Sequence, residues 1–131
     1  MSRFLPPRAP LVPTLVLGLL LAGIGAARAC DPSIIDNVLE QADAHLSLAL
    51  RADDLEGARL HLRRAAHALD EAEAQFISCN CQNAPYEAAT AAAEARRAAT
   101  AQDFTDLAVS ADAAVSGFQL TLLAMREDLC R

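Results

Sequence analysis

Four cysteines and three histidines are the residues of this chain with the most chemistry to offer. Cys79 and Cys81 flank a single residue, Asn80, at the middle, while Cys30 and Cys130 lie one near each end. A closely spaced cysteine pair can exchange disulfides or, helped by His and Met, hold a soft metal such as copper(I). Past residue 29, however, Met125 is the only methionine left. An even number of cysteines in a small exported domain ordinarily forms a covalent frame, and that is the reading adopted.

The histidines are His45, His61 and His67. His45 stands eight residues before Asp53 and His61 eight after it, so a chain reversal there sets the two at one height on adjacent helices. A two-histidine metal site completed by a carboxylate is the chemistry this spacing allows. Neither H-x-x-x-H nor E-x-x-H occurs to supply a third ligand. His45 and His61 are therefore read as partly exposed side chains beside a core stripe, and no metal or cofactor is assigned. A haem site is not assigned, since C-x-x-C-H is lacking and Met125 has no histidine at a matching position on another helix. Arg63-Arg64 and Arg96-Arg97 make a mild basic band that an anion could use, although nearby acids make surface ion pairing the simpler reading. No Ser–His–Asp order and no glycine-rich phosphate loop is present, so the chain is not read as an enzyme.

The elements that must position these residues are helices. Asp31-Pro32 reads as an N-cap followed by proline at the first helical position. Ile35, Leu39, Ala42, Leu46 and Ala49 then recur at spacings of four and three, the stripe of a helix running to about Ala52. Asp53, with Glu56 three residues on, has the form of a capping box for the next helix. That helix carries Leu55, Ala58, Leu62, Ala65, Leu69, Ala72 and Phe76, and ends near Ile77-Ser78. Ala84-Pro85 opens a third helix, to about Ala101, whose inner side is nearly all alanine. Each buried alanine hides a methyl worth about 0.8 kcal/mol against roughly 1.5–3 for a leucine, so this helix is expected to be the most weakly held. A fourth helix follows Gln102-Asp103, striped by Phe104, Leu107, Ala111, Ala114, Phe118, Thr121 and Met125.

A shift of 49 residues superposes Cys30 on Cys79, Cys81 on Cys130, and the second stripe on the fourth, without a gap. The expected fold is all-α: an antiparallel up-down-up-down four-helix bundle made of two tandem αα-hairpins. That topology gathers all four cysteines at one end. A Cys79–Cys81 ring would be strained, so it is set aside with Cys30–Cys130. Of the remaining pairings, Cys30–Cys81 with Cys79–Cys130 maps onto itself under the shift and is preferred to Cys30–Cys79 with Cys81–Cys130. Spacing alone leaves the connectivity open.

Residues 1–29 read as a secretory signal peptide: Arg3 and Arg8, an apolar run from Leu11 to Ile24, then Ala27-Arg28-Ala29 before the cut. The domain is then 30–131, periplasmic or secreted, with no transmembrane span expected after processing. Cys30 directly follows the cut, which admits a weaker alternative, a lipoprotein anchored through Cys30. Arg28 departs from the small uncharged residues that signal prefers. Past residue 29, seventeen carboxylates face eight arginines, a net charge of −9, and such a chain repels nucleic acid. Leu48, Leu60, Leu120 and Leu123 fall off the stripes and should point outward. Leu48 and Leu60 flank the Asp53 turn and are the candidate partner surface. The function expected is a non-enzymatic protein-binding or structural module, open to another envelope protein or to self-association. The alternative is a small metal-binding or thiol-redox bundle using Cys79 and Cys81.

Overall fold

The computed structural model describes residues 30–128 and Cys130. The leader expected over 1–29 lies outside the described residues. Among the described residues there are four helices, α1 (Pro32–Arg51), α2 (Leu55–Ser78), α3 (Ala84–Ala99) and α4 (Phe104–Glu127), and no strand. Each packs on its neighbour in sequence, whereas α1 and α4 meet only sparsely. The layer is thus tight from α1 through to α4 and loose where the first and last helices approach each other.

Local chemistry sets the helix ends. Asp31 accepts from the Ser33 N–H and hydroxyl at the start of α1, relieving donors that have no partner within the helix. At α2 the cap is Asp54, not Asp53: its carboxylate accepts from Gly57 N–H at 2.8 Å. Glycine at 57 leaves this carboxylate room, since a Cβ there would lie 2.7 Å from Asp54 Oδ1 and the side chain would have to shift. Asp103 accepts from Asp106 N–H at the start of α4. Asn83, ahead of α3, makes no side-chain cap of its own.

The alanine-rich α3 is buried along its inner side as its composition suggests, through close approach and not through large side chains. It packs against both α2 and α4, and Ala84, Ala88, Ala91, Ala92, Ala95 and Ala98 are fully buried. Small side chains give little apolar area each, yet they let helix axes approach closely. At the tightest point Gly117 of α4 lies over Ala91, where a Cβ on residue 117 would stand 3.0 Å from Ala91 Cα and Cβ. Phe76, Leu62, Leu69 and Thr121 are the largest fully buried side chains. The Thr121 hydroxyl donates to Gly117 O at 2.8 Å, so its burial leaves no unmet donor.

The α4 stripe holds in its middle, at Leu107, Ala111, Ala114, Phe118 and Thr121, and fails at its ends. Phe104 is exposed and Met125 only partly buried. By length and composition α4 is also, among the described residues, the one helix that could cross a membrane, with a mean hydropathy of 1.4.

Candidate functional site

The cysteines form two disulfides, Cys30–Cys79 and Cys81–Cys130. This corrects the preferred pairing of Cys30–Cys81 with Cys79–Cys130. The reason lies in the three residues Cys79-Asn80-Cys81. Cys79 is the C-cap of α2; Asn80 takes φ 59°, Asn80 N–H donates to Ile77 O, and Cys81 N–H donates to Phe76 O. These are the two bonds of a Schellman reversal with asparagine in its left-handed position. Cys79 still belongs to the helix surface. It lies eighteen residues, five turns, beyond His61, and therefore shares the face of α2 that meets α1. Cys81 comes after the reversal and bonds Cys130 beyond α4. The 49-residue shift does not carry one observed bond onto the other. Under it Cys79 corresponds to Asp128, the C-cap of α4.

Neither Cys79 nor Cys81 is a free thiol, and no free cysteine occurs among the described residues. Asp128 lies beside Cys81 and Cys130, with the three ligand atoms within 4.8 Å of one another. The sulfurs are spent on each other, and the carboxylate is already occupied. Asn83 and Ala84 N–H each donate to Asp128 at 2.8 Å, and the Asn83 amide donates at 2.9 Å. The end of α4 thus supplies the cap that α3 lacks. Burial pushes the Asp128 carboxyl up, but the N–H donors of Ala84, Asn83 and Gln82 outweigh it and hold the group below its ordinary value.

The structure brings His45 and His61 together. Their Nδ1 atoms are 3.2 Å apart, and the rings stack with centroids 5.5 Å apart and planes 26° from parallel. One ring must donate and the other accept, so the pair is neutral on at least one member. Burial, then the proximity of His61 and of Arg64, lowers the proton affinity of His45. A shallow cavity of about 270 Å³ opens beside the pair, lined by Gln41, His45, Arg63, Arg64, His67 and Ala68. His67 stands apart from the pair's contact, with Nε2 3.3 Å from Glu71 one turn along α2.

The basic band is partly spent as the surface-pair reading expects: Arg96 bonds Asp70 at 2.8 Å across α2 and α3, and Arg97 pairs with Glu94. Arg59, which sequence reasoning passed over, has a structural task. It pairs with Glu56 and donates to the Ala101 carbonyl, tying α2 to the turn between α3 and α4. No local motif marks such a contact, since its partners are 42 residues apart. Leu48 and Leu60 are exposed at 41% and 40%, and Leu120 and Leu123 at 50% and 49%. Neither a family model, nor a curated protein, nor a solved structure matches this chain.

Proposed function

We propose that the protein is an exported, non-enzymatic helical module, periplasmic or secreted, that binds another envelope protein or a second copy of itself. The observation that carries this reading is apolar side chains presented outward on a covalently framed scaffold: Leu48 and Leu60, both more than a third exposed, flank the α1–α2 turn. Two disulfides suit an oxidising compartment, as a chain led by a cleaved signal peptide over 1–29 would meet. The up-down-up-down, two-hairpin topology is supported by Cys30–Cys79 at the base of the first helix pair and His45–His61 facing each other within it. An unspanned bilayer fits α4, whose buried face is taken up by α3. A Cys30 sulfur bonded to Cys79 speaks against a lipid thioether on the same atom. The test is Leu48→Ser with Leu60→Ser, read by elution volume and by capture from native envelope. The double variant should lose a partner or a dimer that the parent holds; an unchanged result in both readouts dismisses the surface.

A further inference from the structure

We propose that His45 and His61 form a two-nitrogen site for a borderline divalent ion, of the class of Zn²⁺, Cu²⁺ or Ni²⁺, bound through Nδ1 of both rings. The separation of those atoms is the first ground. With metal–nitrogen bonds of about 2.0–2.1 Å, two nitrogens 3.2 Å apart subtend about 100° at an ion placed between them. That angle lies between a square and a tetrahedral arrangement, so the nitrogens are already at a chelating distance. The rings, now stacked at 26°, need only turn until both lone pairs converge on the ion.

The proton balance is simple. In the ion-free pair one ring carries its proton on Nδ1 and donates to the lone pair of the other. Binding needs both Nδ1 lone pairs, so the donating ring passes its proton through solvent to its own Nε2. Both rings end neutral and protonated on Nε2, with no net proton released when both were neutral before. A ring whose proton affinity is already lowered, as that of His45 is, competes less with the ion.

The surroundings define the rest of the site. Gln41 and Arg63, Arg64 and His67 line the adjoining cavity, with no carboxylate among its lining residues. The remaining coordination positions are left to water, and the guanidinium groups of the exposed Arg63 and Arg64 favour an anionic co-ligand there.

The test uses the disulfide-bonded protein and zinc chloride. Zn²⁺ should bind saturably below ~1 mM, and His45→Gln or His61→Gln should each weaken it about tenfold or more, while His67→Gln leaves it unchanged. Imidazole nitrogen NMR on the unmodified protein should place the ion on Nδ1 of His45 and His61, a readout that does not depend on any variant folding. No saturation by ~1 mM, ion on Nε2, or an equal loss in His67→Gln overturns the proposal.

Discussion

Asp128 and Asn83, 45 residues apart, are joined twice: the backbone N–H and the side-chain amide of Asn83 both donate to the Asp128 carboxylate. Ala84 N–H donates to the same group. A helix normally finds its N-cap just ahead of itself, whereas α3 borrows one from the far end of α4. Replacing Asp128 by Ala should cost about 1 kcal/mol, as lost caps do, with amide exchange rising first around Ala84–Glu87.

The same carboxylate makes stability depend on acid. Its folded value is depressed, so its contribution is complete above the ordinary carboxylate value and lost as pH falls through the depressed one. Urea midpoints of the parent should decline below about pH 4, and Asp128→Asn should show a shallower decline.

His45 acts in the opposite chemical sense with the same slope. Its folded proton affinity is lowered, chiefly by burial, so the unfolded chain binds more protons below about pH 6.5. Stability should therefore rise with pH through that window, and His45→Gln should flatten the rise between about pH 5 and 7. A midpoint that is level across the range in the parent contradicts the contact.

Gly117→Ala sets two effects against each other. Alanine gains about 1 kcal/mol of helix propensity, whereas a Cβ 3.0 Å from two Ala91 atoms overpacks the α3–α4 contact by roughly 1–3 kcal/mol. Net destabilisation of the order of 1 kcal/mol should appear in thermal unfolding, with Ala91→Gly in the same chain recovering part of it. A net gain would mean that the helices can separate freely.

Gln75 is buried, and its side-chain oxygen has no hydrogen-bond partner among the described residues. Gln75→Leu should stabilise by about 1 kcal/mol, since an unmet buried acceptor carries its desolvation penalty without return. A loss in urea midpoint instead would show that the amide is satisfied in solution.

The pairing is open to direct chemistry. Cys30→Ser with Cys79→Ser should leave one intact disulfide, no free thiol and a stability loss of about 2–4 kcal/mol. Cys30→Ser with Cys81→Ser should instead leave Cys79 and Cys130 without their partners, and reactive to alkylation.

The helices were legible because apolar residues at spacings of three and four leave few alternatives, and Asp-Pro and Ala-Pro mark the starts of α1 and α3. The meeting of His45 and His61 was equally readable from equal distances to one turn. The disulfide pairing was misread because the repeat was treated as a constraint on bonding. Counting turns was the better guide, since Cys79 sits five turns beyond His61 on the face that meets α1. Methyl area alone leaves out position: between two helices α3 buries its whole inner row of alanines, while Tyr86 on its outer side stays exposed. The cap from Asp128 and the tie from Arg59 come from distant chain, and no local pattern announces them.

Each sulfur bridge closes a ring wholly within its own half of the chain, and the only covalent link between the rings is the peptide through Asn80. Severing the backbone there would yield two fragments with no covalent tie, each keeping its own bridge. Bridges from Cys30 to Cys81 and from Cys79 to Cys130 would have kept such fragments chained together. In its covalent links alone the molecule resembles two beads on a thread, while the packing of α2 on α3 and the Arg96–Asp70 pair hold the beads together.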